Sequence, residues 1–285
     1  MFSPINQFEI NRNGVSTNQD FISLIELLTQ IRDFLNELGY LAFGRDMSVF
    51  RQTGVVNGNL ILDSATRTME SIRFCCMNAN FADAYSLLRK YRDDLFYYVY
   101  LFTVSNNSDF TQYVDVQQLN EDEKNIWDWV HNQQKDLHIG SVLKCIASYP
   151  AARKAVKEFQ LKDSFDKLAD KLNNYVHSNG YRFYNESYNR LDVKNKIKEE
   201  CKEFGEAAIF ITISFLFLVV LIKPLLIMSS DYTDYLDVGD TPPDGSQYWV
   251  APFVSDFLNN HKNVLDDKCD SYLGHAEQLL IFIKF

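Results

Sequence analysis

Residues 207–228 read AAIFITISFLFLVVLIKPLLIM, 22 positions of which only Thr212, Ser214, Lys223 and Pro224 are not apolar. As an α-helix rising about 1.5 Å per residue, the run extends roughly 33 Å, enough to cross a hydrocarbon core of about 30 Å. Fifteen of the 22 are Leu, Ile, Phe or Val. Each of these favours insertion by about 0.3 to 0.6 kcal/mol, against a cost of about 2.5 to 3.5 kcal/mol for one central Lys. Lys223 stands near the end of the run, where its stem reaches the headgroups, and Pro224 disturbs only the last turn. The stretch therefore predicts one transmembrane helix. Its clean part, Ala207 to Ile222, is also short enough to be the fully buried helix of a helical core, and that is the competing reading.

The flanks favour the span. Lys194, Lys196, Lys198 and Lys202 precede it, whereas residues 229–248 contain no Lys or Arg and carry Asp231, Asp234, Asp237, Asp240 and Asp244. By the positive-inside rule this is a single-pass protein with its N-terminus in the cytoplasm and membrane lipid as a partner. Met1 to Gly14 is polar and lacks the apolar core of a signal peptide, as expected where a late span is its own anchor. The core-helix reading makes the chain cytoplasmic instead. The formal charge of −10 is uneven: residues 229–285 hold three Lys and ten acidic residues, a net of −7. This balance argues against bulk nucleic-acid binding. The five cysteines form no CxxC pair, His131, His138, His261 and His275 form no HxxxH or HExxH, and no GxxxxGK[ST], GxGxxG or GxSxG occurs. Neither a metal nor a cofactor is expected.

Upstream, the spacing predicts a helical bundle over residues 20–206, after an N-terminal segment 1–19. Asp20 caps a helix with Phe21, Leu24, Ile25, Leu28, Ile31, Leu35 and Leu38 on one face, ending at Gly39. Gly44 to Gly58 predicts a loop. Helical spacing returns from Asn59 to Cys76, pauses at Asn78 to Asn80 and resumes through Ala84, Leu88, Leu95 and Val99. Asn120 with Glu121, Asp122 and Glu123 starts a further helix, with Trp127, Trp129 and Val130 as its buried positions. A short helix over Ser141 to Ala147 follows, then one opened by Pro150 that runs toward His177 and stops at Ser178-Asn179-Gly180. Tyr181 to Glu206 is helix-friendly and leads into the apolar run.

The small acidic tail, 229–285, combines a Pro-Pro-Asp-Gly turn with Tyr248, Trp249 and Phe253, aromatics suited to a membrane interface, and predicts an amphipathic helix from Val250 to Leu265. Asp231, Asp234, Asp237 and Asp240 recur every three residues, a helix-like spacing without the order of an EF-hand calcium loop. Fifty-seven residues are too few for a large core of their own, so the tail is expected to pack on another part of the chain.

Two clusters could carry chemistry. In Arg89-Lys90-Tyr91-Arg92-Asp93-Asp94, Arg89 can pair with Asp93 and Lys90 with Asp94 across one helix turn. The sharper reading makes Arg89 and Arg92 an anion site in a groove between helices, since a guanidinium fork suits phosphate. The second cluster is Lys171-Leu172-Asn173-Asn174-Tyr175-Val176-His177-Ser178-Asn179-Gly180. Its order resembles the motif of the HEPN superfamily, helical bundles that include metal-independent ribonucleases, toxins and antiviral defence proteins. That motif places an Arg four to six residues before a His near a helix end. The stretch LLRKYRDDLFYYVYL is similar to Arg-bearing helices of bacterial families placed near this superfamily, and the resemblance covers residues 20–190. Lys171 takes the place of the Arg. The resemblance implies His177 as general acid or base on an RNA 2′-hydroxyl, with Lys171 or Arg182 stabilising the phosphate. It further implies a second copy of the chain as partner and, for the ribonuclease alone, RNA. Read from the residues, a lone His at a helix C-terminus caps carbonyls and complements the dipole. Two functions are thus expected in competition: a membrane-anchored sensor, effector or interaction protein, with bacterial defence implied by the resemblance, and a ribonuclease built on His177.

Overall fold

The computed structural model describes residues 13–108, 114–133, 138–158, 160–177, 179–180, 193–241 and 250–261. The protein is mostly α-helical. The helices are α1 (Gln19–Ala42), α2 (Asn59–Met77), α3 (Phe81–Asn107), α4 (Glu121–Val130), α5 (Ile139–Ile146), α6 (Pro150–Glu158), α7 (Leu161–Val176), α8 (Val193–Ile222), α9 (Ser230–Asp237) and α10 (Pro252–His261). Strands β1 (Met47–Phe50) and β2 (Gly54–Asn57) pair antiparallel between α1 and α2, with Val49 opposite Val55.

α1 is capped by Asn18, whose side chain accepts from the Phe21 N–H at 3.0 Å, two residues before the expected Asp20. It also runs through Gly39 to Ala42, because Leu38 and Ala42 are both buried and packing outweighs the weak helix propensity of one glycine. α2 and α3 are separated where expected, at Asn78 to Asn80: Ala79 takes a positive φ of 53°, and Asn80 caps α3. The helix opened by Pro150 is interrupted at Gln160, whose φ of 48° ends α6 and starts α7.

Two further expectations are corrected. Gly44 to Gly58 forms a hairpin, not a loop: Gly54, at φ 79°, supplies the left-handed turn residue, and Ser48 and Phe50 alternate inward between exposed Met47 and Val49. In α4 the buried positions are Glu123 and Ile126, while Trp127 and Trp129 are half-buried and Val130 is exposed. Trp129 stacks on Tyr97 with ring centres 5.9 Å apart, and Trp127 stacks on His131 at 4.1 Å, so their faces are covered without deep burial.

Two long helices form the centre. α3 is buried nearly all round from Leu95 to Val104 and packs against α2, α5, α7, α8 and β1. α8 packs against α1, α3, α6 and α10. The Tyr91 and Thr212 hydroxyls meet at 2.8 Å where α3 and α8 cross, Phe204 stands edge-on to Tyr85, and Phe210 packs on Phe165 of α7. Gly205 sits against α1, where a Cβ would come within 3.3 Å of Leu27 and 3.4 Å of Leu24. The segment Ile197–Ile222 is long and apolar enough to cross a membrane, and 78% of its most apolar window is buried within the protein. After α8 the chain turns through a 3-10 segment, Pro224–Ile227, and Ala251 donates to the Ile227 carbonyl at 2.9 Å. α10 then returns to α1, stacking Phe257 on Phe34 with centroids 4.0 Å apart. The expected packing of the tail on another part of the chain is thus met by α10. Tyr248 and Trp249 and the chain beyond His261 lie outside the described residues.

Candidate functional site

The Lys171 to Gly180 motif lies at the C-terminal end of α7. Lys171 reaches α8 and α3: its Nζ donates to Glu203 Oε2 at 2.6 Å and to the Tyr85 hydroxyl at 2.9 Å. Tyr85 is buried, stacks on Tyr175 at 4.5 Å, and its hydroxyl pKa is pushed up by burial and by the charge of Glu200. His177 is the exposed C-cap of α7, with its backbone N–H bonded to the Asn173 carbonyl at 2.9 Å. Six residues of helix separate the two side chains by roughly 9 Å along the axis and turn them onto different faces. Lys171 is thus engaged by Glu203 and Tyr85, and His177 stands apart from it. Arg182 lies outside the described residues.

The second cluster pairs largely within itself, though the buried Arg92 Nη1 has no hydrogen-bond partner among the described residues. Arg89 Nε lies 3.8 Å from Asp93 Oδ2, and Arg92 binds Asp93 Oδ1 through Nε at 2.9 Å and Nη2 at 2.7 Å. Lys90 pairs with Asp94 and donates to Ser64 Oγ at 2.7 Å. Asp93 thereby occupies the position an external anion would take between the two guanidinium groups. Arg92 is also 2% exposed, out of reach of a ligand from solvent.

The hairpin end was not singled out by any motif. There the C-terminus of α1 and the start of α2 enclose a groove of about 260 Å³ lined by Leu35, Gly39, Tyr40, Phe43, Asn59 and Asp63. Tyr40, Phe43, Val55 and Leu60 are 77%, 70%, 62% and 75% exposed. The hairpin alternates hydrogen-bonded and open positions, and Gly58 donating to the Asp46 carbonyl sets the phase, so Val49 and Val55 turn their backbone groups outward. On β1 that edge is closed, because Ser105 Oγ bonds both the N–H and the carbonyl of Val49 at 3.2 Å. On β2 the Val55 backbone groups have no partner among the described residues. The signal available in the sequence was Val49, Val55 and Val56 around Gly54, two valine-bearing arms on a turn.

The hairpin is clamped at its tip. Arg51 grips Glu123 with Nε at 2.9 Å and Nη2 at 2.5 Å, Ser108 donates to the same carboxylate at 3.0 Å, and Gln52 donates to the Val114 carbonyl. Burial pushes the Glu123 carboxyl up, but the bonds from Arg51, Ser108 and the Asn120 N–H outweigh it and hold its pKa below the ordinary value.

The described thiols are poor nucleophiles: Cys201, for one, is buried, and burial with the nearby Glu200 charge pushes its pKa up to about 12. Among the described residues no three His, Cys, Asp or Glu side chains converge as metal ligands. No family model, no curated protein and no solved structure matches this chain.

Proposed function

We propose that this chain is a non-catalytic helical interaction protein that docks an extended segment of a partner protein on the free edge of β2, with α8 serving as the core helix of the bundle. The observation that carries the docking reading is the asymmetry of the hairpin: the β1 edge is closed by Ser105, while the Val55 backbone groups on β2 face outward, and Tyr40, Phe43 and Leu60 at the flanking ends of α1 and α2 are exposed. A strand edge with unpaired backbone groups next to apolar side chains suits strand addition, in which main-chain bonds give affinity and alternate side chains seat in the neighbouring groove. A short extended Thr-Val peptide titrated into the 15N-labelled protein is expected to shift the amides of 54–57 and the signals of Tyr40 and Phe43. Val55→Pro, which deletes the edge N–H, should abolish the shifts, and shifts elsewhere or none at all would overturn the docking site.

The core-helix reading is supported by what surrounds the apolar run. Tyr91 bonds Thr212, the sixth residue of the run, so Arg89, Lys90, Asp93 and Asp94 stand level with its first half. Placing the folded protein in lipid would bring those charges into the hydrocarbon core, at up to about 2.5 to 3.5 kcal/mol each. Withdrawing α8 alone would instead uncover the apolar faces of α1 and α3. Alkaline carbonate washing of membranes from expressing cells is expected to release the protein, and retention in the pellet would restore the single-pass reading. The ribonuclease reading has less support, because Lys171 is bound to Glu203 and His177 stands apart from it. His177→Ala is expected to leave the fold and any RNA-directed effect of expression unchanged.

A further inference from the structure

Asp46 joins α1 to β1 and is 0% exposed, yet neither of its carboxyl oxygens has a hydrogen-bond partner. Its backbone is firmly tied: its N–H donates to the Ala42 carbonyl at 3.1 Å, and its carbonyl accepts from Gly58 at 2.8 Å. Tyr98 of α3, 1% exposed, has a hydroxyl that is likewise unpartnered, as is the hydroxyl of Ser48, which faces inward two residues along the strand. Asp46 and Tyr98 meet where the hairpin base rests on α3, since a Cβ on Gly58 would lie 2.7 Å from Tyr98 Cε2 and 3.0 Å from the Asp46 carbonyl oxygen. The cations on the adjoining elements are turned elsewhere. Arg45 donates to the Met228 carbonyl at 3.0 Å and approaches Ser230 Oγ at 3.5 Å, Lys223 lies over the Phe102 ring, and Arg51 grips Glu123. The Asp46 charge acts on the Tyr98 hydroxyl of α3, and the start of α2 presents the backbone of Gly58.

An ionised carboxylate in such surroundings is very costly, and a buried acid without a counter-charge is relieved by taking up a proton. We propose that the junction of Asp46, Gly58 and Tyr98 is a proton-operated latch: neutral Asp46 keeps the hairpin base packed on α3, and loss of its proton releases the hairpin while the helical core stays folded. Burial holds the Asp46 carboxyl above its ordinary value, which fixes the sign. A raised native pKa contributes stability that is complete below the unfolded value and is lost as pH rises through the native one, so the hairpin opens toward alkaline pH. Release is local because the hairpin is a small unit whose N-terminal hinge, Gly44, already sits at φ 80°, whereas the core beneath it is formed by α1, α3 and α8. The latch goes beyond the partner-docking reading and holds whether or not β2 binds a peptide.

Hydrogen exchange of the full-length protein between pH 5 and 8, corrected for the intrinsic chemistry, tests it. The opening equilibrium of residues 43–58 is expected to rise by up to about tenfold per pH unit between the unfolded pKa of Asp46, about 3.9, and its native pKa, the slope of a single proton, and to level off above the native value, while α3 and α8 show no such rise. Asp46→Asn should make hairpin opening independent of pH. A flat wild-type profile, or an unchanged slope in Asp46→Asn, would overturn the latch. Should that variant fail to fold, carboxyl 13C titration of Asp46 in the wild-type protein decides: a pKa above the ordinary value of about 3.9 sustains the proposal, and one at or below it refutes it.

Discussion

Glu123 and Asp46 are carboxyl groups sunk beside the same hairpin, 3% and 0% exposed, and they are held in opposite ways. Glu123 receives a two-pronged Arg51 and the Ser108 hydroxyl, and its N-cap partner Asn120 closes the loop around it, so the charge is matched where it lies. Asp46 has equal burial, no side-chain donor, and only its own backbone N–H to favour the charge. The first is a clamp that works ionised; the second is tolerated only neutral. Burial alone therefore does not separate these two acids; the donors aimed at them do. The tip and base of one hairpin consequently respond to pH with opposite sign.

The sharpest way to break the comparison is to remove the matched charge. Glu123→Gln leaves Arg51 without its counter-ion at a site largely closed to water and is expected to cost about 3 kcal/mol, read by urea denaturation at pH 7. The same variant separates the signs. A depressed native pKa gives stability that is present above the unfolded value and lost as pH falls through the native one, so wild-type stability declines in acid and Glu123→Gln flattens that limb. Asp46→Asn should leave the acid decline in place. An acid limb unchanged in Glu123→Gln would show that other carboxylates dominate it.

Next in size is a change at the hairpin base that alters no charge. Gly58 has φ −69° and ψ −23°, a backbone that alanine adopts freely, so the whole cost of Gly58→Ala comes from its Cβ against the Tyr98 ring and the Asp46 carbonyl. That ring is wedged between Phe102 and Phe215, with centroids at 4.9 and 5.9 Å, and has little room to retreat. Overpacking of this kind is expected to cost about 2 kcal/mol by thermal or urea unfolding. A loss below about 0.5 kcal/mol would mean that the base yields, and that Asp46 is less tightly enclosed than its burial indicates.

What the sequence made legible follows the length of each pattern. α1, α2, α3 and α8 repeat apolar residues over several turns, so period and burial agree: Leu24, Leu28, Ile31 and Leu35 are all buried. The hairpin has four-residue strands in which apolar side chains occur on both faces, inward at Phe50 and outward at Met47 and Val49, so no alternation reveals it. The apolar run 207–222 was legible as a helix, but composition alone cannot distinguish lipid from Phe165, Tyr91 and Leu27 as its surroundings. Arg89 with Asp93 and Lys90 with Asp94 were readable because pairing one turn apart is local. Arg51 with Glu123 spans 72 positions, and Asp46 with Tyr98 depends on how α2 and α3 fold back, so neither leaves a motif.

The finest division of the comparison lies within the matched site. Ser108 stands just past the end of α3, and its single hydroxyl proton is shared between the Val104 carbonyl, at 2.9 Å, and Glu123 Oε1, at 3.0 Å. Ser108→Ala removes one donor from the carboxylate while Arg51 keeps its two bonds, so the expected cost is about 1 kcal/mol, smaller than that of Glu123→Gln. Because the lost bond favours the ionised form, the Glu123 titration should also move upward, carrying the acid limb to slightly higher pH. Should Ser108→Ala instead cost as much as Glu123→Gln, the hydroxyl and not the guanidinium would be holding the charge. Tip and base would then differ by one neutral donor, a much smaller distinction than a full ion pair.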